Sequence, residues 1–219
     1  MNTGRYFVVS LLFASGFVFN VLADAPAKGY VEGSHYHRIE PPQPVQSADD
    51  HIEVVELFFY ACPLCNTLEP KIREWLKRKP DDVEFRRIPA IIGPTWAEQA
   101  KAFYVAEALG TLEQTHQALF SAIHNDGEQY YSELALIQFF VDQGVEADLF
   151  LELYRSPEIV EKASQARVMT VRYGLQGVPA MIVNGKYKTA SYYTRNLGAG
   201  IAAMQNCGRL SSLCWMRVR

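Results

Sequence analysis

The sequence predicts an α/β protein in which a mixed central sheet carries helices on both faces and is interrupted by an all-α domain. Three observations lead to this fold class. A short apolar strand pattern at residues 54–60 is followed directly by an amphipathic helix pattern, and no strand pattern occurs between residues 94 and 154. Near the end of the chain, Asn184-Gly185 separates two short runs that are typical of paired strands.

The composition excludes several classes of protein. The chain has 219 residues, of which 49% are hydrophobic and 21% are charged, with a formal net charge of −3. These values are sufficient for one or two folded units with a full core. Because no block of Lys and Arg is present, we expect no nucleic-acid partner. Beyond the N-terminus no apolar run approaches the ~20 residues that span a bilayer, which excludes a polytopic membrane protein.

Residues 1–23 are typical of a cleaved export signal. Arg5 supplies the positive charge, residues 7–22 form the apolar stretch, and small side chains up to Ala23 predict cleavage before Asp24. The alternative, an uncleaved membrane anchor, fits less well because polar residues interrupt a segment that is already short for a span. We therefore expect an exported protein that is not integral to the membrane.

The first half of the exported chain predicts the order β-β-α-β. Residues 30–40 alternate between apolar and polar side chains, as an edge strand does. Residues 54–60 are β-branched and aromatic, which favours a central strand that is buried on both faces. Residues 63–79 place their apolar side chains on one helical face, and residues 83–88 predict a third strand.

A block of helices follows at residues 94–154, where glycines separate successive helical stripes. His116 and His124 fit a solvated face of one of these helices. Ser156 and Pro157 then predict a helix start by an N-cap and a first-turn proline. This helix is expected to end at Gly174 and to bury Val160, Ala163, Val168 and Val171.

A β-hairpin and a final helix complete the predicted fold. Strands at residues 180–183 and 186–189 flank Asn184-Gly185, and the helix covers residues 194–206. Together the patterns divide the exported chain into three segments. The sheet domain is expected in two parts, residues 24–93 and 157–219, with the inserted helical domain at residues 94–156.

The four cysteines form two pairs by their spacing, Cys62/Cys65 and Cys207/Cys214. Thiols in exported proteins tend to be oxidised. A zinc site that combines both pairs fits poorly, because the pairs have different spacings and lie far apart in the chain. We therefore expect two separate redox units and no metal.

Cys62-Pro63-Leu64-Cys65 lies where the central strand ends and the helix begins. Unpaired N–H groups at a helix N-terminus favour a thiolate over a thiol. Pro63 suits the first helical position, where its missing N–H is not needed. The alternative is a structural disulfide, but a bond between such close neighbours stabilises a fold little. The motif therefore predicts a redox-active dithiol.

Glu56 is a carboxylate inside an otherwise apolar strand, six residues before Cys62. If it is buried beneath the dithiol, it can exchange a proton with a thiol during the reaction. The alternative is a structural ion pair with Arg86 or Arg87 on the neighbouring strand. The two interpretations are compatible with each other.

Val178-Pro179 precedes the first strand of the hairpin, where a proline removes a hydrogen-bond donor from the sheet. A cis bond at this position would bring the end of the strand close to the dithiol. It would also leave backbone groups of Val178 available to an extended peptide. The sequence pattern leaves cis and trans open.

These motifs resemble the DsbA family of periplasmic thiol:disulfide oxidoreductases, which have a thioredoxin-like fold with an inserted helical domain. The resemblance implies that Cys62 is the nucleophile, Cys65 the resolving thiol, Pro179 the cis-proline and Glu56 the buried acid. Arg87 is the nearest match to the family's buried lysine. The segments that carry the resemblance are Val55-Glu56-Leu57-Phe58-Phe59, Cys62-Pro63-Leu64-Cys65, Gly177-Val178-Pro179-Ala180 and Val183-Asn184-Gly185-Lys186-Tyr187.

Two features depart from the family pattern. Leu64 stands where the best-known members carry His, and Cys207/Cys214 is not part of the common pattern. We expect Cys207 and Cys214 to form a structural disulfide. Because a leucine supplies neither a donor nor a charge near the Cys62 thiolate, we expect this protein to be a weaker oxidant than members with His.

The resemblance implies a protein dithiol oxidase that introduces disulfides into newly exported, unfolded proteins in the periplasm. It also implies reoxidation by a membrane partner of the DsbB type, without a metal or organic cofactor. Two alternatives remain at this point. One is a disulfide isomerase or reductase, and the other is a peptide-binding chaperone whose disulfide is only structural.

Overall fold

The computed structural model describes residues 32–34 and 36–190. The predicted signal peptide at residues 1–23, the predicted helix at residues 194–206, and both Cys207 and Cys214 lie outside the described residues. None of the helices that are described combines the length and the apolar character needed to cross a membrane.

A mixed sheet forms the centre of the described fold. Its strand order is β1-β5-β4-β2-β3; β2 and β3 run parallel, and the other neighbouring strands run antiparallel. β1 lies within the predicted edge strand and has two residues. The strands are β1 (His37–Arg38), β2 (Ile52–Phe58), β3 (Val83–Pro89), β4 (Ala180–Val183) and β5 (Tyr187–Ala190).

β2 is the central strand, and all seven of its residues are buried. Its alternate side chains serve two clusters: Ile52 and Val54 pack with α1, whereas Val55 and Leu57 join the larger cluster on the other face. Burial on both faces explains why the strand is apolar throughout except at its two glutamates. The mixed sheet flanked by helices confirms the predicted fold class.

Six helices accompany the sheet in the described part of the chain. α1 follows β2, α2 to α5 lie between β3 and α6, and α6 leads to the hairpin. They are α1 (Pro63–Leu76), α2 (Trp96–Ala108), α3 (Leu112–His124), α4 (Glu133–Asp142), α5 (Ala147–Tyr154) and α6 (Pro157–Arg172).

The buried face of α6 differs from the predicted one. Only Ala163 of the expected set is buried, whereas Val160, Val168 and Val171 are 51%, 44% and 72% exposed. The observed buried face is Ile159, Ala163, Ala166 and Thr170, which follows the same helical period one position away. This face packs against α2, and the Ile91 N–H donates to Thr170 Oγ1 at 3.2 Å. The buried stripe is therefore set by the elements that α6 contacts and not by the hydrophobicity of the valines.

The hairpin between β4 and β5 has the predicted turn. Asn184 and Gly185 have φ angles of +48° and +61°, which a type I′ turn requires. Gly185 also lies against the loop after β1, where its carbonyl accepts a hydrogen bond from the Gln43 N–H at 2.9 Å. A Cβ on Gly185 would lie 2.1 Å from the Gln43 carbonyl oxygen, so no other residue fits there without a backbone shift.

This contact makes Gly185→Ala a strongly destabilising change. We expect it to lower the free energy of unfolding by about 3 kcal/mol, because the backbone clash adds to the cost of positive φ. Gly127→Ala is the matched control, since Gly127 has φ +77° with no atom within 4 Å of a Cβ, and should cost about 1 kcal/mol. Chemical denaturation of the two variants tests this, and equal losses would show that the contact with Gln43 contributes nothing.

Candidate active site

Cys62 is the N-cap residue of α1. Its backbone is extended, with φ −85° and ψ 115°, and its Sγ accepts from the Cys65 N–H at 3.4 Å. Pro63 occupies the first helical turn, as predicted. Both cysteines are free thiols in this structure, Cys62 half-buried and Cys65 buried. The helix N-terminus therefore points at the Cys62 sulfur.

Hydrogen bonds to the Cys62 sulfur favour its thiolate. The Cys65 thiol donates to it, and the backbone N–H groups of Cys65 and Leu64 add to this effect, whereas partial burial opposes it. The balance lowers the pKa of Cys62 to about 6. Cys62 is consequently a thiolate at neutral pH. Leu64 contributes through its backbone, while its side chain is 47% exposed.

Cys65 has the opposite environment. It is fully buried, and burial raises its pKa well above the ordinary value. The hydrogen bond to Cys62 and the charge of Cys62 raise this pKa further. A thiolate at Cys65 is therefore unfavourable, and any step that releases this sulfur requires a proton. The two sulfurs of one motif thus differ strongly in acidity.

The segment before β4 lies against Cys62. The Val178–Pro179 bond is cis, as the resemblance implied. The Val178 carbonyl oxygen is 3.5 Å from Cys62 Sγ, and it accepts a hydrogen bond when Cys62 is a thiol. Cys62 and Val178 are 116 positions apart in the sequence. The structure brings Cys62 together with Val178 and the neighbouring Pro179.

Glu56 is buried and paired with Arg87. The two residues are opposite each other in the parallel β2/β3 register, and Arg87 Nε donates to Glu56 Oε2 at 3.1 Å. Burial raises the pKa of Glu56 to about 8, with Arg87 opposing and the charge of Glu69 adding to the rise. Glu56 therefore accepts a hydrogen bond from Arg87 and still holds a proton at neutral pH. Arg86 pairs instead with Glu53, at 2.9 Å.

Glu69 is a site residue that the sequence analysis missed. It lies on α1 one helical turn after Cys65, it is buried, and its Oε1 accepts from Arg87 Nη2 at 2.7 Å. One guanidinium thus serves two carboxylates, Glu56 and Glu69. The sequence could have indicated that Glu69 is buried, because it lies on the apolar face of α1 with Cys65, Leu68 and Ile72.

The prediction that His116 is solvated was wrong. His116 is 1% exposed, and its ring lies among the rings of Phe58, Phe103 and Phe120. His116 Nδ1 is 2.9 Å from the Tyr60 hydroxyl, and Nε2 is 3.3 Å from Glu69 Oε2. A helix-face argument fails here because the partners come from distant parts of the chain.

His124 was also predicted to be solvated, and it is half-buried at the end of α3. Its Nε2 lies 2.7 Å from the Tyr60 carbonyl oxygen. The two histidines of α3 therefore contact the same residue of the β2–α1 loop.

This arrangement defines a thiol:disulfide oxidoreductase with a thioredoxin-like fold, because a stabilised thiolate and a buried partner thiol share one short motif at the start of a helix. A family model described as a DSBA-like thioredoxin domain matches residues 53–198. The chain belongs to the DsbA family.

Curated relatives support this assignment over most of the chain. The thiol:disulfide interchange protein DsbA of Azotobacter vinelandii is 37% identical over 177 residues, which is 81% of this chain and 81% of the relative. That of Pseudomonas aeruginosa is 35% identical over 184 residues, covering 84% and 86%.

Solved structures agree with the sequence comparison. The crystal structure of Pseudomonas aeruginosa DsbA matches with a TM-score of 0.76 and 31% identity, covering 87% of this chain and 97% of that one. DsbA from Xylella fastidiosa matches with a TM-score of 0.75 and 29% identity, covering 83% and 97%.

Leu64→His should lower the pKa of Cys62 by about one unit, because an imidazole adds a donor or a charge near the thiolate. The same change should favour the reduced form about tenfold at pH 7 against a glutathione buffer, since a more stable thiolate stabilises the reduced protein. Ultraviolet titration of the thiolate and equilibration with glutathione measure the two effects.

Leu64→Phe is the control for this prediction, because it supplies a ring without a donor or a charge. It should leave both values near those of the original protein. An unchanged or higher pKa in Leu64→His would show that the contacts of Cys65 and the backbone alone determine the stability of the thiolate.

Proposed function

We propose that this oxidoreductase uses Cys62 and Cys65 to introduce disulfides into exported proteins that contain reduced cysteine pairs. The observation that carries the proposal is the difference in acidity between the two sulfurs. A stable Cys62 thiolate is a good leaving group, so the reduced form of the motif is favoured and the oxidised form is a strong acceptor of electrons.

The proposed reaction begins with the Cys62–Cys65 disulfide. A substrate thiolate attacks Cys62 Sγ, which forms a mixed disulfide and releases Cys65 with the electron pair of the broken S–S bond. A second substrate thiolate then attacks the substrate sulfur of the mixed disulfide, and Cys62 leaves as a thiolate. The substrate loses two electrons and gains a disulfide, while the protein becomes a dithiol.

Glu56 supplies the proton that the first step requires. Released Cys65 is buried and its pKa is raised, so it must be protonated. Glu56 holds a proton at neutral pH. It is connected through Arg87 to the second buried carboxyl group, Glu69. When the protein is reoxidised, the Glu56 carboxylate takes the proton back from Cys65 as that sulfur attacks.

Val178 and Pro179 form the substrate-binding edge in this proposal. The Val178 carbonyl oxygen lies beside Cys62, and a peptide that reaches Cys62 must pass along this backbone. Leu64 adds exposed apolar surface next to the same sulfur. Pro63 completes the motif by starting α1 directly after Cys62.

The proposed setting is the periplasm, with residues 1–23 removed as a signal peptide. The partners are unfolded or newly exported cysteine-containing proteins and a DsbB-type membrane protein that reoxidises the dithiol. The two-part sheet domain at residues 24–93 and 157–219, with the helical insertion at residues 94–156, belongs to the same proposal.

Two activity assays separate this function from the alternatives. A dithiol oxidase oxidises a reduced, unfolded substrate stoichiometrically, whereas an isomerase restores activity to a scrambled one. Cys62→Ser should abolish oxidation of the substrate. If Cys62→Ser retained full activity in cells, the peptide-binding chaperone would be the better assignment.

Glu56→Gln should slow the attack of a thiolate on the oxidised protein by about tenfold or more below pH 8, because the variant lacks the proton donor for Cys65. In the original protein the rate, corrected for ionisation of the attacking thiol, should fall above pH 8, where Glu56 loses its proton. The variant should lack this decrease. Stopped-flow mixing with a small thiol across pH 5 to 10 measures both effects.

Glu53→Gln is the control for that experiment. Glu53 is also a buried carboxylate of β2, but it pairs with Arg86 rather than Arg87. Its pH profile should match that of the original protein. A Glu56→Gln profile equal to the original one would leave Glu56 with a structural role alone.

Cys207 and Cys214 should form a structural disulfide that remains oxidised while Cys62 and Cys65 change state. Closure of this eight-residue loop should contribute about 2.5 kcal/mol in the chain-entropy model. Mass mapping of alkylated cysteines under mild reductant tests the pairing. Simultaneous reduction of both pairs, or a bond between Cys65 and Cys207, would contradict it.

A further inference from the structure

The residues between β2 and α1 form a β-turn that ends at Cys62. The Cys62 N–H donates to the Phe59 carbonyl oxygen at 3.0 Å, which closes a turn with Tyr60 and Ala61 at its centre. Cys62 is also the N-cap of α1. The conformation of the turn therefore determines where the Cys62 sulfur lies relative to the first N–H groups of the helix.

The central peptide of this turn is not fixed by the hydrogen bond that closes it. A β-turn can keep that hydrogen bond with its central peptide in either of two orientations, which distinguish type I from type II. Type II requires positive φ at the third residue of the turn, here Ala61. Within the described residues Asn184 is the only non-glycine with positive φ, so the turn is not type II. The orientation of the Tyr60–Ala61 peptide is therefore a defined feature of the loop.

His124 holds this central peptide. Its Nε2 lies 2.7 Å from the Tyr60 carbonyl oxygen, although the two residues are 64 positions apart in the sequence. Because a carbonyl oxygen can only accept a hydrogen bond, Nε2 carries the hydrogen in this contact whether the ring is neutral or charged. A flip of the Tyr60–Ala61 peptide would turn the carbonyl away and break the hydrogen bond. The contact therefore favours the observed orientation.

The donor is itself held in place by neighbouring rings. His124 is the last residue of α3, and its ring stacks on that of Phe120 with a centroid distance of 6.0 Å. Phe120 packs on the Tyr60 ring at 5.0 Å, and His116 Nδ1 lies 2.9 Å from the Tyr60 hydroxyl. These three residues of α3 are four positions apart and share one helical face. That face contacts Tyr60 from its hydroxyl to its carbonyl.

We propose that His124 is a positioning residue for Cys62, because by holding the Tyr60–Ala61 peptide it places the Cys62 sulfur at the start of α1. The proposal rests on the proposed role of Cys62 as the sulfur that substrate thiolates attack. His124 acts through the backbone of the turn, two residues before the sulfur. It thereby connects α3 of the helical segment to the reaction at Cys62.

The direction of the effect follows from the contacts of the sulfur. Cys62 Sγ accepts from the Cys65 N–H at 3.4 Å, and this distance depends on the backbone conformation of residue 62. If the turn loses its orientation, the sulfur is held less closely against the helix N–H groups that stabilise its anion. The reduced protein is then less favoured relative to the disulfide. A contact that only stabilised the fold would instead affect the oxidised and the reduced protein equally.

The first test uses His124→Phe, which keeps a ring beside Phe120 but removes the donor. It should raise the pKa of Cys62 by about half a unit and make the reduced form about threefold less favoured at pH 7, since the reduced state loses part of the free energy of one hydrogen bond. Ultraviolet titration of the thiolate and equilibration with glutathione measure the two effects. His124→Gln provides an amide N–H toward the same carbonyl and should restore both values. Unchanged values in a folded His124→Phe protein would overturn the proposal.

His51→Phe is the matched control for this substitution. His51 is a half-buried histidine that precedes β2 at the end opposite the turn, and its Nδ1 lies 2.9 Å from Asp50 Oδ1. This variant should leave the thiolate titration and the glutathione equilibrium unchanged. Chemical denaturation of His124→Phe in both redox states adds a second readout, in which the reduced protein should lose more stability than the oxidised one. Equal losses in the two states would show a purely structural contact.

Ala61→Gly tests the mechanism itself, because a glycine at the third position of the turn allows both orientations of the central peptide. Alone it should change the glutathione equilibrium by less than about twofold, since His124 still holds the Tyr60 carbonyl. Combined with His124→Phe it should cause a larger loss than the product of the two single effects. Effects that simply multiply would show that His124 does not act through this peptide.

The thiolate titration needs no protein substrate, so failure of this proposal and failure of the proposed function can be told apart. If Cys62→Ser still oxidised a substrate while His124→Phe shifted the titration as expected, the proposed function would be wrong and the role of His124 would stand. If Cys62→Ser abolished oxidation while His124→Phe left the titration unchanged, the proposed function would stand and the role of His124 would be wrong.

Discussion

The unequal burial of two sulfurs in one helical turn is the constraint on which the site depends. Cys62 lies at the N-cap, where backbone N–H groups and the Cys65 thiol stabilise its anion. Cys65 is one turn further into the helix and faces the core, where an anion is unfavourable. Because β2 ends four residues before Cys62, the helix must begin at the sheet edge, and this junction produces both environments at once.

Burial of the Glu56 carboxyl group makes the stability of the fold depend on pH. A carboxyl group whose pKa rises on folding favours the folded state only while it is protonated. The free energy of unfolding is therefore not reduced by Glu56 below its pKa in the unfolded chain, about 4.5. It decreases as the pH rises from there toward 8, the pKa of Glu56 in the folded protein. A Gln at this position would avoid the loss, but it could not release a proton to Cys65. The proposed reaction therefore gives a reason for a carboxyl group at residue 56 that stability does not.

Local patterns in the sequence predicted the elements whose partners are near in the chain. The strand–motif–helix junction at Cys62 and the Asn184-Gly185 turn follow from short-range backbone chemistry, and both agree with the structure. Glu56 was identifiable because a carboxylate is rare in a buried strand. Glu69 and His116 were missed, since each polar side chain on a helix looks solvated until its partner from another element is known.

The buried face of α6 shows the same limit for apolar residues. Two neighbouring stripes of this helix could face the core, and side-chain hydrophobicity predicts the one that contains the valines. The structure instead buries Ala163, Ala166 and Thr170 against elements that sequence alone does not place beside the helix. Contacts with elements far away in the sequence decide which stripe is buried.

The helical segment also holds the loop that carries Cys62. Phe59 stacks on Trp96 of α2 with ring centroids 3.9 Å apart, and Tyr60 contacts His116 and His124 of α3 through its hydroxyl and its carbonyl. These contacts fix the loop from both sides within three residues of the reactive sulfur. A helical segment that only covered the sheet would not need polar contacts at this loop. Its contacts instead hold the loop that leads into α1, and they thereby orient the helix N-terminus that stabilises the Cys62 thiolate.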